Sequence, residues 1–224
     1  MRKILGLCFL TATLVAGSAS AQSMHLKAGD PNTVEMQLGG GLMKDGAGGN
    51  LLASYSYRGI FDMGAELTFT NYNKGLNNNL KEFKLMPFGK LPIVRQGEGL
   101  PFSVAGILGV NKHMSLGNGP TPGPDGWGVL AGASSYISLE LSDNLKLIPE
   151  VLVAFDFNAT RHYSKAGDQN SSYGTSYGNI MYYDARALVK VNISYRSDSQ
   201  TYLFIPYAGY QGAFVAGGNL GVLF

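Results

Sequence analysis

Cysteine is almost absent: the single residue, Cys8, lies in an apolar stretch at the N-terminus. Removal of that stretch leaves a chain with no thiol, which excludes disulfides, cysteine metal sites and a cysteine nucleophile. Charge is sparse, at 14% Asp, Glu, Lys and Arg. The excess of +2 is carried by Arg2 and Lys3; taking these two from 17 basic residues leaves 15 against 15 acidic ones. A balanced chain offers no electrostatic basis for binding nucleic acid. Histidine occurs only at 25, 113 and 162, and these separations match no metal-ligand spacing, so no metal or other cofactor is expected. After the first residues no apolar run approaches about 18 residues, so spanning helices are excluded.

The N-terminus itself reads as a secretory signal peptide over residues 1–21. Arg2 and Lys3 form a basic start, residues 4–15 an apolar core, and Ala19-Ser20-Ala21 a small-residue cleavage site. Leu7 before Cys8 does not fit a lipoprotein signal. Residues 22–32 form a short lead-in ending at Pro31, and residues 33–224 constitute one domain.

That domain is rich in glycine (31), tyrosine (13) and phenylalanine (11), and its apolar residues recur with a period of two. Val34, Met36, Leu38 and Leu42 share one face of the first segment. Leu51, Ala53, Tyr55 and Tyr57 follow on the second, then Phe61, Met63, Ala65, Leu67 and Phe69 on the third. Charges fall on the opposite parity, as they do in half-apolar strands. Ten segments can be drawn, the sixth over 127–141 and the last pair over 201–224, with a turn near Gln211 and Gly212. Turns are short around Gly59, 142–144 and 197–200. Connections are longer and polar at 71–79, 113–126 and 159–178, while 44–48 is a Gly-containing turn. Aromatic residues gather in two bands. Phe69, Trp127, Phe155, Phe157, Tyr183 and Phe214 stand at loop-side ends, and Tyr57, Phe61, Tyr195 and Phe224 at turn-side ends. Alternation, asymmetric connections and paired girdles point to an all-β fold: a single antiparallel up-and-down transmembrane β-barrel. Ten strands are expected, eight being the alternative; a soluble extracellular β-sandwich would not band its aromatics in this way. Pro87, Pro149 and Pro206 fall inside strands, where local bulges are expected.

The signal peptide, the final Phe224 and alternation across residues 33–224 resemble small outer-membrane barrels of Gram-negative bacteria. These are the opacity-like, OmpX/OmpW-like and OmpA membrane-domain types. The phrases from Pro101-Phe102 to Gly109 and from Pro206-Tyr207 to Gly212 are similar to strands of that group. The resemblance implies export to the bacterial outer membrane, contact with outer-membrane lipid and lipopolysaccharide, and both chain ends on the periplasmic side. It also implies a C-terminal signal, Val222 and Phe224, read by the barrel-assembly machinery. Asn219 stands where that signal has a glycine. Most such barrels have eight strands, and the count here departs from that.

The lumen-facing parity carries fourteen charges: Glu35, Arg58, Asp62, Glu66, Glu82, Lys84, Glu140, Lys146, Glu150, Asp156, Asp184, Arg186, Lys190 and Arg196. A ten-strand barrel has a backbone radius of roughly 10 Å, so long side chains from opposite walls nearly meet. Two roles fit: a structural barrel with a polar, charge-paired lumen, or a narrow passive pore. A third is surface adhesion or ligand binding, with a host or surface ligand held by loops 113–126 and 159–178. The second of these is rich in Tyr, Ser, Gly and Asn, a composition suited to adaptable contacts. Enzymatic chemistry is not expected. His113-Met114-Ser115 is similar to the His–x–Ser pair of lipid A deacylases, but it lies mid-chain on the lumen parity and Leu116 replaces the expected Asn. Asp156, His162 and Asp184 resemble the acidic and histidine residues of omptin-type proteases, which carry two such pairs and longer loops.

Overall fold

The computed structural model describes residues 31–43, 46–72, 80–115, 125–165, 175–211 and 213–224, with side chains for all of these except 72, 80, 115, 125 and 160–183. They form one antiparallel sheet of β1 (Thr33–Met43), β2 (Gly46–Tyr57), β3 (Phe61–Tyr72), β4 (Leu80–Val94), β5 (Ser103–Ser115), β6 (Asp125–Tyr136), β7 (Leu139–Ser142), β8 (Leu145–Lys165), β9 (Thr175–Arg196), β10 (Thr201–Gln211) and β11 (Ala213–Leu223). Each strand pairs with the next, except that β6 and β7 lie end to end along β8. β1 and β11 close the ring, from Glu35 opposite Leu223 to Met43 opposite Val215. Beyond that register, Val34 and Phe224 exchange backbone hydrogen bonds at 3.2 and 2.9 Å. The result is a closed up-and-down barrel with ten positions around its wall.

Register fixes the shape. From Leu38 the ladder runs one way through Leu51, Leu67, Leu85, Lys112 and Trp127 to Ala159 on β8. The other way it passes Leu220, Phe204 and Ile193 and arrives at Leu147. Arrival at residues 159 and 147 of one strand is a stagger of 12 residues. For ten strands that corresponds to a tilt of roughly 40° and a radius of roughly 10 Å.

The outer wall is apolar. Met36, Leu38 and Leu42 on β1, Val151, Val153, Phe155 and Phe157 on β8, and Phe204 and Leu220 near the seam are all exposed. A closed sheet leaves no unpaired edge within this belt, which is what a hydrocarbon surrounding demands. Exposed Phe69, Trp127, Tyr210 and Phe214 ring the loop-side end, and Tyr57, Tyr195, Tyr202 and Phe224 the turn-side end. The chain is a transmembrane β-barrel.

Several boundaries differ from the sequence expectation. Gly46, Ala47 and Gly48 belong to β2, paired with Met43, Leu42 and Gly41, rather than to a turn. Strand β5 continues to Ser115 and β6 starts at Asp125, which shortens loop 113–126. Loop 159–178 is mostly hairpin, because β8 and β9 stay paired up to Lys165 opposite Thr175. Clear of lipid, both faces of a strand can be polar, and the period-two signal disappears. The prolines do not make bulges. Register is the same on both sides of Pro87 in β4 and of Pro206 in β10; only the pairing beside them lapses. A shift occurs instead between Pro92 and Val94.

Pro149 has a different effect. It has no N–H to offer the strand beside it. Ile137 N–H donates to the Pro149 carbonyl at 3.2 Å, and there the wall strand divides into β6 and β7. Gln96, from the turn after β4, fills the break. Ser138 N–H donates to Gln96 Oε1 at 2.8 Å, and Gln96 Nε2 donates to the Ser138 carbonyl at 3.4 Å. Arg95 in the same turn donates to the Gly59 carbonyl. Gly97 and Gly99 allow the turn to fold, with φ of 93° and 89° that side chains disfavour. Residues 1–21, expected to be a signal peptide, and most of the lead-in lie outside the described residues.

Candidate functional site

Inside the barrel the inward residues sort into layers. Beside the seam, Asn219 Nδ2 donates to Gln37 Oε1 at 2.9 Å, and Gln37 donates to Glu35. A first charged layer occupies the turn-side half. Lys90 from β4 and Lys190 from β9 reach one carboxylate, Glu150 of β8, at 3.3 and 3.5 Å. All three side chains are 0% exposed. The ring of Tyr136 lies 5.4 Å from the Lys90 ammonium, within reach of a cation–π contact.

A second charged layer occupies the loop-side half. Asp156 of β8 accepts from Lys84 of β4 and Arg186 of β9 on Oδ2, and from Asn111 of β5 on Oδ1. Beyond it, His113 Nδ1 meets Glu82 Oε1. Asp184 lies across the β8–β9 ladder from Asp156.

Between the two layers most inward residues are apolar, although buried Glu66 of β3 stands among them, paired in the ladder with Leu52 of β2 and Met86 of β4. On β4, Met86 and Phe88 separate Lys84 from Lys90. On β8, Leu152 and Ala154 separate Asp156 from Glu150. On β9, Leu188 separates Arg186 from Lys190. These join Leu52, Ile107, Leu130, Tyr207 and Val215 in one contiguous cluster, no member more than 5% exposed. Gly217 makes room for it: a Cβ there would stand 2.6 Å from the Tyr207 hydroxyl and 2.5 Å from Gly41 Cα. Small barrels fill their interiors with side chains, and this cluster belongs to that filling.

Buried polar atoms without a hydrogen-bond partner include Glu66 Oε1 beside the cluster, and others fall on either side of it. Asn50, Asn111 Oδ1, His113 Nε2 and Asn158 Oδ1 lie on the loop side, and Glu35 Oε2 and Ser56 Oγ on the turn side. A cavity of about 320 Å³ opens at the turn-side mouth, among Thr33, Lys146, Ser194, Arg196 and Phe224.

The fourteen charges expected in the lumen therefore divide. Glu35, Asp62, Glu66, Glu150, Asp156, Arg186 and Lys190 are buried, and Glu82, Lys84 and Asp184 are partly so. Arg58, Glu140 and Arg196 are exposed at the turn-side rim. Arg58 is in the β2–β3 turn with φ of 50°, and its N–H donates to Asn32 Oδ1. Glu140 pairs with Lys146 at 3.3 Å, 59% exposed, on the short β7 beyond the strand break. Lys90 is the charge that the sequence reading missed, although it shares the parity of Lys84. The lumen is also less polar than expected: counting charges on the inward parity left out the apolar residues between them.

His113 directs Nδ1 at Glu82, and Ser115 is described only by its backbone, opposite Glu82. Asp156 is engaged by three donors, and the His162 side chain lies outside the described residues. Among the described residues no three His, Cys, Asp or Glu side chains are grouped to hold a metal ion.

No family model and no curated protein matches this chain. Among solved structures it is similar to Ail, the attachment invasion locus protein of Yersinia pestis, in complex with the heparin analogue sucrose octasulfate. Identity is 8%, the TM-score is 0.34, and the match covers 86% of this chain and 97% of that one. It is also similar to KdgM porin, at 10% identity and TM-score 0.34, covering 86% of this chain and 98% of that one.

Proposed function

We propose that this protein is an integral barrel of the bacterial outer membrane, exported by its signal peptide, whose lumen is sealed against solutes. Its role is structural: a stable wall element that presents its loop-side end at the surface. The observation that carries this reading is the contiguous apolar cluster between the charged layers. A solute path needs a continuous polar route, and here Met86, Phe88, Leu152 and Leu188 interrupt it. Reconstitution into liposomes tests the idea through sugar-driven swelling. Swelling no faster than in protein-free liposomes is expected; swelling that scales inversely with sugar size would replace the sealed barrel with a pore. Location is tested separately by outer-membrane fractionation with heat-modifiable gel mobility.

A second reading, surface recognition, is supported by one further observation. Strands β8 and β9 run for 21 and 22 residues, against 11 to 15 for the other full wall strands. The pairing of β9 with β10 ends at Arg186 opposite Gln211, so the hairpin rises past its neighbour. Such a projection suits contact with a host or surface ligand. Deleting residues 162–178 should leave the barrel folded and abolish adhesion; unchanged adhesion of cells would dispose of this reading.

A further inference from the structure

We infer that the lumen, though closed to solutes, passes protons, and that Glu66 carries them across the apolar segment. Among the described residues, each full wall strand except β3 supplies a member of the apolar cluster or, as Met43 of β1 does, packs against it. The inward parity of β3 reads Asp62, Gly64, Glu66, Thr68 and Thr70, with no apolar side chain. This strip joins the two charged layers. On the loop side of Glu66 the next inward row is Asn50, Thr68 and Lys84, and Lys84 pairs with Asp156. On the turn side come Ser54 and Gly64, then Asp62 opposite Lys90, which pairs with Glu150. Glu66 is 1% exposed, and its Oε1 has no hydrogen-bond partner. Both amide atoms of buried Asn50 also lack one. Arg186, Lys84 and Asp156 of the loop-side layer and Lys190 of the turn-side layer act on the Glu66 charge, which in turn acts on the Tyr207 hydroxyl.

An acid buried within a membrane span is costly to keep and commonly marks a proton path. Glu66 is placed for one, standing between a loop-side acid, Asp156, and a turn-side acid, Asp62. The Asn50 amide and the unpaired Glu66 oxygen suit a bridging water, which needs polar partners of this kind. Toward the turns, Glu66 and Asp62 are roughly 13 Å apart along β3 at about 3.3 Å per residue. Ser54 on the neighbouring strand divides that distance. A proton from loop-side water neutralises the Asp156 carboxylate. It moves to Glu66, which restores Asp156, and then to Asp62, which restores Glu66. From there it passes to Glu35, on whose charge Asp62 acts, and leaves to water at the turn-side mouth. Lys84, Arg186, Lys90 and Lys190 keep their protons throughout. A solute cannot follow, because the strip has no open width: a Cβ on Gly64 would stand 2.9 Å from the Phe88 ring. The inference goes beyond the sealed-lumen reading and rests on it for selectivity. At neutral pH protons are too dilute to give resolved conductance steps.

The test is proton flux into liposomes that hold the folded barrel and a trapped pH-sensitive dye, driven by a potassium gradient with valinomycin. Wild type should pass protons faster than protein-free liposomes, while sugar-driven swelling stays at the protein-free rate. Glu66→Gln keeps the shape but cannot take up a proton, and should return the flux to the protein-free rate. Asn50→Leu should do the same with every ionisable group in place. Glu140→Gln at the turn-side rim serves as the control and should change nothing. Heat-modifiable mobility verifies that each variant is folded, and if Glu66→Gln does not fold, the Asn50→Leu barrel decides. Wild-type flux no faster than without protein, or undiminished flux in either folded variant, would overturn the path. Sugar-driven swelling alongside proton flux would overturn the sealed lumen, and proton selectivity with it.

Discussion

The two charged layers of the lumen use the same strands and differ in their surroundings. Both draw a lysine from β4, a carboxylate from β8 and a cation from β9. In the turn-side layer Glu150 bridges two lysines, and all three are fully buried. In the loop-side layer Asp156 has three donors, Lys84 is 12% exposed, and Glu82 and His113 lie beyond it toward the rim. Two buried cations depend strongly on the anion that bridges them, because loss of a partner in a low dielectric costs more than the pair gains. A layer with access to water can recover part of any loss by hydration. The turn-side layer therefore sets stability, and the loop-side layer is the tolerant one.

The largest expected effect follows from removing the shared anion. Glu150→Ala removes the anion that bridges Lys90 and Lys190 and should destabilise the folded barrel by about 3–5 kcal/mol. A shift in the urea midpoint, followed by gel mobility of the refolded protein, reports it. Asp156→Asn keeps the shape and a hydrogen-bond acceptor and should cost about 1.5–3 kcal/mol. If it costs as much as Glu150→Ala, the contrast between the layers is wrong. Gln96→Ala lies outside both layers and deprives Ser138 of its two hydrogen bonds, a loss of about 1 kcal/mol. Smallest in the folded state is Phe224→Ala. Its backbone pairing with Val34 survives and its exposed ring supports little, so stability after refolding should change by less than about 0.5 kcal/mol. Its effect should appear in cells instead, as reduced assembly into the outer membrane by quantitative fractionation. Normal outer-membrane levels would remove the assembly role proposed for Val222 and Phe224.

The wall was legible in the sequence and the filling was not. Lipid imposes one chemistry on every outward residue, so Val34, Met36, Leu38 and Leu42 announce β1, and Leu145 to Phe157 announce β8, without help from neighbours. Inward residues answer to contacts from strands far away in sequence. Glu150 and Lys90 are separated by 60 positions, and nothing local distinguishes them from a solvated pair. Met86, Phe88 and Leu152 interrupt strict alternation, which makes them look like noise in a polar face when they form one apolar cluster. The division between β6 and β7 had a signal in Pro149, but its consequence appears on the neighbouring strand. The β8–β9 hairpin was obscured because its polar residues leave the membrane period while backbone pairing continues.

The seal itself is the central claim, and single-channel recording in planar bilayers tests it most directly. Wild type should insert without conductance steps. The triple variant Phe88→Ala, Leu152→Ala and Leu188→Ala, which thins the cluster while sparing both charged layers, should produce small resolved openings. Regular openings in wild type, unchanged in the triple variant, would contradict the account.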